Sequence, residues 1–172
     1  MNIRRILTVI LFLTGIVFFF WFYQNPPMNI QIGKKAPSFS LHDYSGNPVS
    51  LDDFSGKVIF LNFWATWCPP CLVEMPSIEK LHQQFYEKGL VVLGLSESGS
   101  GEETNVKRLR EKIPLSFPLL NDWKSEVSDR YGVSQLPLTV VIDRQGIVFG
   151  IYRGATDWGE PDSLEMIKTL LQ

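Results

Sequence analysis

Between Val58 and Lys88 the apolar pattern changes period, and the point of change holds both cysteines of the chain. Val58 to Trp64 is a near-continuous apolar run, which suits a central strand covered on both faces. From Pro69 to Lys88 apolar residues fall at Leu72, Met75, Ile78, Leu81 and Phe85. That is the spacing of a helix, interrupted by Pro76 and ended by Gly89. Leu90 to Leu95 then reads as a second buried strand, so the pattern is βαβ. In the loop that opens the helix stands Cys68-Pro-Pro-Cys71. Two cysteines so spaced at a helix start allow one sulfur to be held as a thiolate while the other waits to close a ring, as thiol–disulfide exchange needs. Half of a zinc site is the competing reading of the pair alone.

The flanking segments supply the rest of an α/β domain. Phe39 to Leu41 and Val49 to Leu51 flank the turn-rich Asp43-Tyr-Ser-Gly-Asn-Pro48 and read as a hairpin. Glu102 to Ile113 reads as a helix and Lys124 to Tyr131 as a shorter one. Leu138 to Asp143 and Ile147 to Tyr152 form a second hairpin across Arg144-Gln-Gly146, and Asp162 to Leu171 is an amphipathic last helix. The order predicts a mixed central sheet flanked by helices.

Ahead of this domain, residues Ile6 to Tyr23 carry no charge, and as a helix they would span about 27 Å, close to a bilayer's hydrocarbon thickness. Arg4 and Arg5 precede the run, which ends in Phe18-Phe-Phe-Trp-Phe-Tyr23 without a small-x-small cleavage site. This favours an uncleaved, single-pass N-terminal transmembrane helix over a signal peptide, with the domain on the extracytoplasmic (periplasmic) side of the cytoplasmic membrane. The expected organisation is an anchor over 1–23, a polar linker over 24–35 and one domain over 36–172. At 172 residues and 45% hydrophobic content the chain suffices for one such domain. Past the anchor, 14 basic side chains face 18 acidic ones, with no basic stripe to follow a phosphate backbone. Nucleic acid is not an expected partner.

Several segments together resemble the TlpA/ResA-like membrane-anchored thiol–disulfide oxidoreductases of the thioredoxin superfamily. They are Gly33-Lys-Lys-Ala-Pro-Ser-Phe-Ser-Leu41, Asn62-Phe-Trp-Ala-Thr-Trp-Cys-Pro-Pro-Cys71, Glu74-Met-Pro76, Tyr131-Gly-Val-Ser-Gln-Leu-Pro137 and Ile142-Asp-Arg-Gln-Gly146. The likeness covers roughly Gly33 to Leu171 and implies a thioredoxin-like fold.

Cys68 and Cys71 are the expected redox-active disulfide. Cys68, at the helix N-cap, is placed to attack, and Cys71, one turn in and more buried, to resolve. Pro69 and Pro70 fit first-turn positions but remove two N–H donors from the thiolate's surroundings, which points to a stable disulfide and hence a reductant. Glu74 lies three residues beyond Cys71 on the same helix face. Helix-start electrostatics alone would favour an acidic residue there. The resemblance implies more: a glutamate beneath the cysteines that raises thiol pKa values and takes a proton during release. Asn62 stands where thioredoxin has a buried aspartate and is read as satisfying buried hydrogen bonds.

Pro137 matches the proline that thioredoxin-fold proteins carry in cis facing the disulfide, and Leu136 before it would offer a strand edge to an extended client. Leu138 replaces the small or polar residue expected next. Trp67 is assigned to shielding the sulfurs and contacting partners, the plainer alternative being a surface aromatic. Trp158 is read as packing, and His82 as a half-exposed surface residue.

The resulting expectation is a membrane-tethered reductase of client protein disulfides without an added cofactor. The resemblance implies apocytochrome c or a copper-centre apoprotein as client, and a membrane electron donor of the DsbD or CcdA kind. Two other readings compete with it. Ala36-Pro-Ser-Phe-Ser-Leu41 suggests a peroxiredoxin-like peroxidase, against which the C-x-x-C spacing argues. A copper-binding module would use Cys68 and Cys71 with an outside ligand.

Overall fold

Seven consecutive buried residues, Val58–Trp64, form strand β3, the axis of the domain. The computed structural model describes residues 11–17, 30–99 and 101–172. Within these, β1 (Ser40–Asp43) and β2 (Pro48–Ser50) form the first hairpin. Helix α1 (Pro69–Phe85) follows β3 and continues through Pro76, and a 3₁₀ turn over Tyr86–Lys88 leads to Gly89. Gly89 has φ 103°, a left-handed conformation in which glycine ends a helix without a Cβ penalty. Then come β4 (Leu90–Ser96), α2 (Glu103–Lys112), β5 (Leu119–Asn121), α3 (Glu126–Tyr131), β6 (Leu138–Ile142), β7 (Val148–Arg153) and α4 (Pro161–Leu170).

One mixed sheet results, in the order β2-β1-β5-β4-β3-β6-β7. β3 runs parallel to β4, Val58 opposite Leu90 through Trp64 opposite Ser96, and antiparallel to β6, Ile59 opposite Ile142 through Phe63 opposite Leu138. Side chains alternate across the sheet, so its two faces carry separate cores. Phe60 and Trp64 meet Met75, Ile78, Leu81 and Phe85 of α1, with Val106 of α2 and Ile167 of α4 in the same cluster. Leu61 and Phe63 on the other face share a cluster with Phe39, Val127 and Tyr131. Trp158 is buried against Phe60 and Tyr152, ring centroids 4.6 and 5.2 Å away, as the packing assignment expected.

Three features depart from expectation. Strand β5 does not stand out in the sequence, yet it pairs with both β4 and β1 and joins the first hairpin to the sheet. Leu51, expected in a strand, opens a 3₁₀ turn: Ser50 caps it by accepting from the Asp52 N–H, and the Asp53 carboxylate reaches back to the Ser50 N–H. His82 is buried, not half-exposed, because Phe117 from the segment before β5 packs over α1; the two rings lie 5.9 Å apart. Burial lowers the imidazole pKa.

The chain joins the domain at Gly33, whose N–H donates to the Val148 carbonyl, and Lys35 bridges to Ile147. Residues 11–17 are helical and exposed. The rest of the expected anchor and most of the linker lie outside the described residues, and among those described no helix is long and apolar enough to cross a membrane.

Gly94 in β4 has no room for a side chain. A Cβ there would stand 2.8 Å from Leu119 Cδ2, 3.2 Å from Trp64 Nε1 and 3.3 Å from Phe117 Cε2. Overpacking costs about 1–3 kcal/mol. The loss of unfolded-chain entropy on Gly→Ala returns roughly 0.4–1 kcal/mol. Gly94→Ala should therefore destabilise the domain by about 1–2 kcal/mol in urea unfolding. Stability equal to the parent's would show that Leu119 yields freely.

Candidate functional site

The site forms where β3 ends. Thr66 and Trp67 carry the chain from the sheet into α1, and the Cys68 N–H donates to the Ala65 carbonyl at 3.2 Å, folding the turn back on the strand. Cys68 occupies the N-cap of α1 in extended conformation, with Pro69 and Pro70 at the first helical positions. Cys68 and Cys71 are joined as a disulfide, Cα atoms 5.4 Å apart. Because both prolines lack an N–H, the sulfur of Cys68 takes one capping donor, the Cys71 N–H at 3.3 Å.

The two sulfurs differ in access. Both cysteines are buried, Cys71 fully and Cys68 at 4% exposure, but only Cys68 lines an open groove, of about 420 Å³, with Trp67, Glu97 and Leu136. Trp67 is 65% exposed, so it stands as a wall of the groove and not as core. The Leu136–Pro137 bond is cis, the expected isomer. Pro137 itself is buried, and its carbonyl accepts from the Gly154 N–H. Among the described residues, neither the N–H nor the carbonyl of Leu136 joins a backbone–backbone hydrogen bond, which leaves a short free edge beside the disulfide.

Glu74 is placed differently. It is 3% exposed, one turn beyond Cys71, and it faces Asn62 of β3. Asn62 Nδ2 donates to Glu74 Oε1 at 2.8 Å and to Thr139 Oγ1 at 3.0 Å, and the Thr156 N–H donates to Glu74 Oε2 at 3.2 Å. Asn62 thus fills the hydrogen-bonding role expected of it. Burial raises the carboxyl pKa, and the Asn62 amide and the Thr156 N–H pull it partly back. Glu74 also borders a cleft with Ser77, Lys80 and Thr156, separate from the groove of Cys68.

Sequence reasoning missed Glu97, which lies in that groove. It follows β4 directly, and its N–H donates to the Trp64 carbonyl at 2.9 Å, fixing it at the carboxyl ends of the parallel pair. That position is the one signal that could have singled it out, since ligand sites of α/β sheets gather there. Nearby, the Ser98 hydroxyl accepts from the Thr66 N–H, and Thr66 Oγ1 donates to Glu102 Oε2, bracing the turn that leads to Cys68.

Comparison with known proteins agrees with this geometry. A model of the AhpC/TSA family matches residues 32–150, more than half of the chain. A thioredoxin-like protein, YneN, of Bacillus subtilis is 40% identical over 132 residues, 77% of this chain and 77% of that protein. The thiol–disulfide oxidoreductase ResA of Bacillus cereus is 37% identical over 150 residues, covering 85% of this chain and 84% of that one. Among solved structures, a protein described as a putative thiol:disulfide interchange protein DsbE of Chlorobium tepidum superimposes with TM-score 0.75 at 28% identity. That match covers 84% of this chain and all of the other. The α/β architecture is therefore the thioredoxin-like fold.

Because the folded-state pKa of Glu74 is raised above its ordinary value of 4.5, the native state holds this proton to higher pH than the unfolded chain does. Between the two pKa values the native state binds more protons, so stability falls as pH rises through that window. Glu74→Gln removes the titration. The parent's stability relative to this variant should decline as pH rises above about 4.5 and level off once the carboxyl is ionised in the folded protein. Unfolding free energies of both proteins across roughly pH 4–8 check this, and a difference that does not change with pH would contradict it.

Proposed function

The chain belongs to the AhpC/TSA family and is a thiol–disulfide oxidoreductase, and from the asymmetry of its two sulfurs we propose that it works as a protein disulfide reductase. The carrying observation is the pairing of a groove-lining Cys68 with a buried Cys71 at one helix start. In the reduced protein the Cys68 thiolate attacks one sulfur of a client disulfide, and the other client sulfur leaves as a thiolate. Cys71 then attacks Cys68, the mixed disulfide breaks, and the client departs with two electrons gained while the Cys68–Cys71 bond forms. Leu136 offers its free edge to an extended client segment, and Trp67 bounds the approach. Glu74, held by Asn62 and buried one turn below Cys71, takes up the proton that Cys71 must lose to attack.

The direction follows from the donors around Cys68. A strong oxidant holds its attacking sulfur as a well-stabilised thiolate, so its disulfide is readily reduced. Here two of the first-turn donors are missing and a raised-pKa carboxyl lies below, both of which disfavour a thiolate and favour the disulfide.

On the same reading, residues 1–23 anchor the protein in the cytoplasmic membrane, 24–35 serve as a spacer, and the domain of residues 36–172 works on the extracytoplasmic side. The uncharged run after Arg4 and Arg5 supports this, as do the exposed apolar side chains of Leu11, Phe12 and Val17 on the helical stretch. An oxidised pair must be reduced again, so a membrane carrier of reducing equivalents of the DsbD or CcdA kind is the proposed donor. Apocytochrome c awaiting haem, or a copper-centre apoprotein, is the proposed client.

The test is entrapment. Cys71→Ala should accumulate a client adduct through Cys68 that dithiothreitol releases, and Cys68→Ala should accumulate none, with turnover lost in both. Recovery of the same adduct from Cys68→Ala would overturn the assignment of the attacking sulfur.

A further inference from the structure

The groove beside Cys68 contains one charged side chain, Glu97, and its charge has no counterpart there. Glu97 Oε1 is buried and, among the described residues, lacks a hydrogen-bond partner. The hydroxyl of Ser128, which faces it, gives its proton to Asp122 Oδ2 at 2.8 Å. The charged groups that bear on Glu97 are Asp122 and Asp129, both acidic. Burial first pushes its pKa up, the Ser128 hydroxyl pulls it partly back, and the two like charges add to the rise. Glu97 as a whole is only half-buried, so a charged donor that enters along the groove meets the carboxylate and offsets the cost of its desolvation.

Geometry says where that donor comes from. A client cysteine must approach Cys68 along the groove, and in an extended segment the residues on either side of it lie only about 3.3 Å apiece further along. Those neighbours pass through the space that Glu97 lines. We propose that Glu97 recognises a positively charged client side chain, Lys or Arg, within two residues of the cysteine that Cys68 attacks. The assignment rests on the reductase reading and deepens it: clients are selected by charge next to their disulfide. Glu97 exchanges no bond with sulfur, so it is a recognition residue and not a catalytic one. A charged donor fits better than a neutral one, because a charge-assisted hydrogen bond is about twice as strong and the like charges of Asp122 and Asp129 add to the attraction.

The experiment uses the full chain in detergent micelles and disulfide peptides carrying Ala, Arg or Glu in turn at each of the two positions on either side of one cysteine. Two quantities are read: the rate constant for peptide reduction by the pre-reduced protein, and the Kd of matching peptides with Ser for Cys, which cannot exchange. At the best position Arg should be preferred to Ala by about tenfold in both, with Glu disfavoured, and the preference should shrink as salt is raised. Glu97→Gln should bring the Arg-to-Ala ratio to within about twofold, and Glu97→Lys should invert it. A parent with no charge preference in Kd, or a preference that survives in Glu97→Gln, overturns the proposal. Charge-selective binding without reduction of any peptide supports the recognition role while it refutes the reductase reading. Reduction without selectivity does the reverse.

Discussion

A strand hydrogen-bonded on both edges and packed on both faces has no freedom to shift, and everything at the site is measured from such a strand. β3 is parallel to β4 on one side and antiparallel to β6 on the other, with all seven of its residues buried. A slip by one residue would turn Phe60 and Trp64 to the opposite face and Leu61 and Phe63 out of theirs, so the register is strongly fixed. Three consequences follow. The turn after Trp64 delivers Cys68 to the helix N-cap, the β4 register delivers Glu97 to the same end of the sheet, and Asn62 is presented to α1. Gly94 sits opposite Asn62 in β4, where the absence of a side chain lets Trp64, Phe117 and Leu119 close together.

The chemistry depends on which groups near the sulfurs are missing as much as on those present. A thiolate at a helix start normally draws on several N–H groups and the helix dipole. Two prolines remove two of those groups without breaking an intrahelical bond, so helix stability is kept while thiolate stabilisation falls. In the proposed mechanism Glu74 acts in the same direction, since a carboxyl that ionises there places negative charge one turn along the helix from Cys71. Its two hydrogen bonds make its burial tolerable without committing it to an ion pair, and among the described residues no Lys or Arg forms a salt bridge with it. A group so held can still take up and lose a proton.

Much of this was legible in the residues. The seven-residue apolar run of β3 and the stripe from Leu72 to Phe85 have unambiguous periods, and the cysteines fall at their junction. β5 was not legible, because three residues between Pro118 and Asp122 are too few to show a period; they become a strand by pairing with β4 and β1. The burial of His82 is hidden in the sequence for a related reason: the ring that covers it, Phe117, is distant along the chain. Asn62 and Glu74 were each singled out, but the bond between them spans a strand and a helix 12 residues apart, and only the packing of α1 on β3 makes it. Glu97 escaped notice because a charged residue in a serine-rich loop has no pattern of its own. Its meaning comes from the strand end on which it stands.

The proposed direction of electron flow requires that the local donors and the buried carboxyl favour the disulfide over the dithiol. Equilibration of the Cys68–Cys71 couple against a graded dithiothreitol or glutathione buffer measures this directly. The expected midpoint lies at or below about −270 mV, in the range of thioredoxin. A midpoint near about −120 mV, that of a strong disulfide donor, would mean that the thiolate is well stabilised after all and that electrons flow the other way.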